Sequence, residues 1–183
     1  TRETVATYEK KRWAVLGTPV DCVRLGLKAL APEHKFQIDW VLSGINAGGN
    51  LGVDVYTSGT VAAAREAAIL NVPSLALSHH INGKPIDWKL AKARILPIIK
   101  KLIHGPQNKR SYWNVNLPQT SNSESNLEII HCPVDTNPVQ IEFVHNADGK
   151  YFNKGIYQHR PRTPGSDVSS CFEGKIAVSE LFL

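Results

Sequence analysis

Over its first hundred residues the chain alternates short apolar runs with longer segments whose apolar residues recur at helical spacing. Residues 12–16, RWAVL, read as a strand. Gly17-Thr18-Pro19 then opens a helix, with Thr18 as N-cap, Pro19 at the first helical position and Asp21 three residues after the cap. Val20, Val23, Leu27 and Leu30 repeat along one side of it and are expected to face a sheet. A second strand is expected at residues 38–42 (IDWVL), a helix at 58–70, a break at Asn71-Val72-Pro73, and a third strand in SLALS. A helix over 88–103 follows, which Pro97 is expected to kink or divide. Strand and helix in this order imply βαβ units, so the fold class is α/β: a mainly parallel sheet with helices on both faces.

The character changes after the strand expected at 112–117 (YWNVNL). QTSNSESN (119–126) reads as a polar loop, while EIIHCPV, VQIEFVH and KGIYQHR read as strands, with Asn146-Ala147-Asp148-Gly149 as a hairpin turn between the last two. Residues 1–183 are therefore expected to form one domain, with 1–118 as its α/β core and 119–183 as a strand-rich C-terminal extension fit to pack on a partner subunit.

Composition narrows the classes. No stretch approaches the apolar length of a membrane span, and the amino terminus has no signal-peptide pattern, so a soluble, cytoplasmic protein is expected. The three cysteines are far apart and form no C-x-x-C pair, which suggests neither a disulfide framework nor a zinc site. The net charge of +5 arises from scattered Lys and Arg, so nucleic acid is not an expected partner, whereas an anionic small molecule suits the charge.

The densest chemistry lies in residues 43–60, SGINAGGNLGVDVYTSGT, with five glycines, two asparagines and one aspartate. AGGNLG approaches a dinucleotide fingerprint, but six residues separate Gly52 from Gly59 and no acidic residue stands twenty positions on. Walker-type and G-x-S-x-G patterns are absent too. Connectivity is more informative. The carboxyl end of a parallel strand and the amino end of the next helix share one sheet edge, where α/β proteins bind ligands. Asn46 leaves the strand there and Ser58-Gly59-Thr60 open the helix there. Free N–H groups, the helix dipole and two hydroxyls suit a phosphate, while the Asn46 amide oxygen is a hard donor of the kind Mg²⁺ or Mn²⁺ takes. Each piece also has an ordinary explanation as a tight turn, an N-cap or a locally satisfied amide, and both readings stay open here. His79 and His80 follow a strand at that edge and serve either as proton donors or as packing; Asp54 either binds metal or caps the turn.

GTPVDC (17–22), VLSGINAGGNLG (41–52), SGTVAAAREAA (58–68), WNVNLP (113–118) and PGSDV (164–168), in this order, closely resemble the SurE family of survival-protein nucleotidases. The resemblance implies a Rossmann-like α/β core with a C-terminal β-hairpin extension used in homodimer or homotetramer assembly. It implies a metal-dependent phosphomonoesterase, a 5'/3'-nucleotidase acting on nucleoside monophosphates and, in some members, on short polyphosphates. Carried onto this chain, the resemblance makes Asn46 a ligand of the divalent metal, Mg²⁺ or Mn²⁺, and places Asn50, Ser58, Gly59 and Thr60 around the phosphate. The family's first strand ends in Asn-Asp-Asp-Gly, and a later Ser-Gly loop completes its ligand set; neither is found in the 183 residues. The first strands of the family fold are thus expected to be missing, and a non-catalytic phosphate- or nucleotide-binding module is the alternative.

Overall fold

The computed structural model describes residues 6–9, 12–120 and 126–183, with residues 6–9 as backbone alone. β1 (Ala6–Glu9) and β2 (Arg12–Val15) pair antiparallel as a separate ribbon, so the RWAVL strand does not join the main sheet. α1 (Pro19–Leu25) starts on the expected capping box: the Thr18 side chain accepts from the Asp21 N–H, and the Asp21 carboxylate accepts the Thr18 N–H at 2.8 Å. It runs on through a π-helical turn (Gly26–Leu30) and the short α2 (Ala31–Glu33). The wider turn breaks the helical spacing. Val23 and Leu27 consequently pack on another helix, against Ala63 and Ala67, with only Val41 added from the sheet.

The main sheet has five strands in the order β3-β4-β5-β9-β6. β3 (Val41–Ala47), β4 (Ser74–His79) and β5 (Ser111–Leu117) are parallel; β9 (Ile176–Phe182) lies antiparallel to β5, and β6 (Ile129–His131) runs parallel to β9. β3 begins three residues later than the 38–42 reading and takes in SGINA, because the Val41 N–H is the first to find an acceptor, the Pro73 carbonyl at 2.9 Å. Its register shifts between Ser43 and Asn46, where Gly44 has φ +129° and lies so close to the Leu77 carbonyl that a Cβ would sit 2.3 Å from that oxygen.

α3 (Gly59–Ile69) ends in Asn71 at φ +60°, a left-handed cap that asparagine tolerates. α4 (Trp88–His104) is continuous through Pro97, whose ring sits on the exposed side of the helix. β7 (Phe143–His145) and β8 (Tyr151–Asn153) form the expected hairpin over the Asn146–Gly149 turn. Instead of a strand, KGIYQHR contains a 3-10 turn, Tyr157–His159, that directs Tyr157 and Arg160 inward. α5 (Asp167–Phe172), which the local pattern did not reveal, leads into β9. The polar loop read at 119–126 lies largely outside the described residues.

Side chains alternate across the sheet. Leu75, Leu77, Val115, Leu117, Ile176 and Val178 meet Ala91, Ile95, Ile98 and Leu102 of α4 in one aliphatic core. On the opposite side Ala76 and Tyr112 meet Val61, Ala64 and Ala68 of α3, and Ala177 meets Leu51, Val168 and Cys171. Helices therefore cover both faces.

Candidate functional site

The carboxyl ends of β3, β4 and β5 are tied into one edge: the Gly48 N–H donates to the His79 carbonyl at 2.9 Å and the His80 N–H to the Leu117 carbonyl at 2.8 Å. Asn46 stands at this edge opposite Ser78, half-buried. Its Nδ2 donates to the Gly48 carbonyl at 2.9 Å, so the amide nitrogen closes the turn and the oxygen is the group left for a ligand.

The helix end of the loop is an N-capped helix start. Ser58 is the N-cap of an eleven-residue helix; its Oγ accepts from the Val61 N–H at 3.1 Å and its carbonyl accepts from the Ala62 N–H at 2.9 Å. The N–H groups of Gly59 and Thr60 have no acceptor within the helix, and the macrodipole places about +0.5 of a charge there. Gly59 is exposed and Thr60 half-exposed, so both can be reached. With its lone pair taken by Val61, the Ser58 hydroxyl keeps its own proton to donate.

Asn50 is placed differently from a simple phosphate ligand. It is buried, its N–H donates to Asn116 Oδ1 at 2.8 Å, and its carbonyl accepts from Asn114 Nδ2 at 2.9 Å and Asn116 Nδ2 at 3.0 Å. Its Nδ2 also donates to Ser78 Oγ at 2.6 Å. The centre of the glycine stretch is thus bolted onto β4 and β5. Leu51 is fully buried, and the Gly52 N–H donates to Asp167 Oδ2 at 2.8 Å.

Asp54 does more than cap a turn: its Oδ2 receives Arg160 Nη1 at 2.7 Å and the Tyr157 hydroxyl at 2.8 Å. His79 and His80 are both buried. His79 Nδ1 lies 2.8 Å from the His80 carbonyl, and the His80 ring stacks on Phe172 with centroids 4.7 Å apart. Burial pushes both imidazoles below the usual histidine range, with the nearby His79, Arg162 and Arg160 adding to the effect at His80. Both rings are held in buried, packed positions.

Sequence reasoning missed the supports, because they lie far along the chain. Asp135 accepts from the Asn137 and Thr163 N–H groups and the Ser166 hydroxyl. Burial alone would raise this carboxyl, but those donors outweigh it and hold it at about 2. Asp167, which burial pushes up, accepts from the N–H groups of Gly52, Asp135 and Val168. The Ser166-Asp167 pair has the look of a helix start, and that was the one local signal available.

Among the described residues no three His, Cys, Asp or Glu side chains group as a metal site. Asn46 contributes one neutral oxygen, which does not hold a divalent cation alone. The described residues by themselves therefore do not make up such a site.

Sheet edge, clamped glycine loop and helix start together define a protein of the α/β class with its glycine loop at the carboxyl edge of the parallel strands. The family model described as "Survival protein SurE" matches residues 1–137. A relative from Synechocystis sp., named "Putative 5'-nucleotidase alr3139", is 44% identical over 173 residues, covering 94% of this chain and 75% of its own length. The protein named "5'-nucleotidase SurE" from Paramagnetospirillum magneticum is 36% identical over 181 residues, covering 97% and 69% respectively. The crystal structure of the SurE protein from Aquifex aeolicus superposes with a TM-score of 0.81 at 28% identity, over all of this chain and 74% of that one. The chain belongs to the SurE family.

Proposed function

We propose that this protein hydrolyses phosphomonoesters, with nucleoside monophosphates as substrates. The observation that carries the reading is the first turn of α3, capped by Ser58 and opening with Gly59 and Thr60 after the loop that leaves β3 at Asn46. The nucleotidase names of the relatives support it. The non-bridging oxygens gain negative charge as the P–O bond to the leaving group breaks, and fixed N–H donors stabilise that charge without reorganising. Asn50 serves this site by holding the loop in place, its Nδ2 bonded to Ser78 and its main chain to Asn114 and Asn116. The family resemblance adds Mg²⁺ or Mn²⁺ with Asn46 as one ligand, an ion that would polarise the phosphoryl group and activate water.

The test is turnover of nucleoside monophosphates and p-nitrophenyl phosphate with Mg²⁺, Mn²⁺ or chelator. Hydrolysis abolished by chelator and restored by Mn²⁺ is expected, with Asn46→Ala greatly reducing the metal-stimulated rate. Activity indifferent to chelation overturns the metal role. The incomplete ligand set among the described residues favours one second reading, a phosphate-binding module: calorimetric binding of a monophosphate with no product at any metal concentration would establish it.

Self-association into a dimer or tetramer belongs to the same proposal and is supported by the β7–β8 hairpin, where Phe143, Tyr151 and Phe152 are exposed. Light scattering tests it. A cytoplasmic location is supported by the free thiols of Cys22, Cys132 and Cys171. Among the described residues no helix is long and apolar enough to cross a membrane.

A further inference from the structure

We propose that Arg160 is a positioning residue for the phosphate site, fixing the start of α3 through Asp54; this rests on reading that helix start as the phosphate-binding element. Arg160 is 3% exposed, and a guanidinium at such depth is tolerated only when its N–H groups are matched. Three of the five are: Nη1 donates to Asp54 Oδ2 at 2.7 Å and to the Tyr157 hydroxyl at 2.9 Å, while Nη2 donates to the Leu51 carbonyl at 3.3 Å. The Tyr157 hydroxyl donates to the same Asp54 oxygen, and the guanidinium carbon lies 4.9 Å from the centre of the Tyr157 ring.

What makes this more than a stabilising ion pair is where Asp54 leads. Its carboxylate is gripped by Arg160, and its main-chain carbonyl accepts the N–H of Thr57 at 3.2 Å and of Ser58 at 3.0 Å. Ser58 in turn caps α3. Only two residues therefore stand between the guanidinium and the donors offered to phosphate. Gly52 is an independent sign that the contact is built in: it has φ +56°, and a Cβ there would sit 2.8 Å from Arg160 Nη2. A glycine of the GGNLG stretch is thus the space the guanidinium occupies. Lysine cannot replace the fork, since one ammonium cannot bridge the Leu51 carbonyl and Asp54 while lying over Tyr157.

The experiment compares Arg160→Lys with wild type in the intact protein, well below the unfolding temperature, and Ile98→Val as a control that weakens only the aliphatic core. Amide hydrogen exchange across residues 51–58 and inhibition by inorganic phosphate are measured together. Arg160→Lys should accelerate exchange at 51–58 while leaving β4 protected, and weaken phosphate inhibition on the order of tenfold to a hundredfold, as expected for displaced donors. Ile98→Val should leave phosphate inhibition unchanged. If Arg160→Lys does not fold, Asp54→Asn, which keeps the shape and loses the charge, takes the same measurements with the same expectation. Unchanged exchange at 51–58, or a loosened loop with unchanged phosphate inhibition, overturns the proposal. A wild-type protein that binds no phosphate overturns the phosphate reading instead.

Discussion

The two faces of the five-stranded sheet are made from the same strands and do different work. Toward α4, β4, β5 and β9 present Leu75, Leu77, Val115, Leu117, Ile176 and Val178, a dry aliphatic surface. Toward α3 and α5 the alternate positions are Ser74, Ala76, Ser78, Tyr112, Asn114, Asn116, Ala177 and Ser179, all of them buried and most of them polar. Buried polar groups need partners, and apart from Asn114 Oδ1, which has none, the bonds here go largely to the glycine loop and the helices beside it. Ser74 donates to the Ala64 carbonyl, Ser78 accepts from Asn50, and both asparagines of β5 hold the Asn50 main chain. One face supplies cohesion; the other supplies the shape of the site.

That contrast can be broken from either side. The largest stability effect belongs to the dry face: Ile98→Ala should cost about 3 kcal/mol in urea denaturation, through lost burial plus a cavity, with phosphate inhibition unaltered. On the polar face Asn116→Leu orphans the Asn50 N–H and should cost about 2 kcal/mol, and phosphate inhibition should weaken together with stability. An equal kinetic effect of both variants would erase the distinction.

Acid should attack the polar face selectively. Asp135 sits at about 2 instead of its ordinary 3.8, so the unfolded chain takes up this proton first as pH falls. Its contribution is complete above about pH 5 and is lost as pH falls through 3.8 toward 2. His79 and His80, held below the usual histidine range, act in the same direction from about pH 6.5 downward, because only the unfolded chain protonates them readily. Asp167, pushed up by burial, partly opposes the trend. Urea midpoints between pH 7.5 and 3 should fall, and Asp135→Asn should flatten the lower part of that curve. The smallest effect is expected at Pro97→Ala, on the exposed side of α4, where stability should change by less than about 1 kcal/mol.

Local chemistry made part of this legible. The Thr18 and Ser58 caps, the β4 and β5 strands and the Asn146–Gly149 turn each follow from residues within a few positions of one another. Asn46 and Ser58 were brought to one edge by connectivity alone. The braces of the loop were not legible, since Arg160 and Asp167 meet Leu51, Gly52 and Asp54 across more than a hundred residues. KGIYQHR reads as a strand because its composition is β-like; the ion pair with Asp54 overrode that preference. The tight-turn reading of the glycines likewise does not show that the loop is packed and bonded along its inner side.

The place of β9 in the sheet has a consequence for how the molecule is made. Ile176–Phe182 is inserted between β5 and β6, so β6, though synthesised some forty residues earlier, has nothing to pair with until β9 arrives. During synthesis the β3-β4-β5 half-sheet therefore waits with the edge of β5 open, and closure joins segments separated by most of the C-terminal third. Loop entropy makes such a late, long-range pairing slow. α5, made just before β9, packs on Ala177 through Val168 and Cys171, so the same event seats the carboxylate that takes the Gly52 N–H, whereas the bonds of Asn50 to β4 and β5 need none of it.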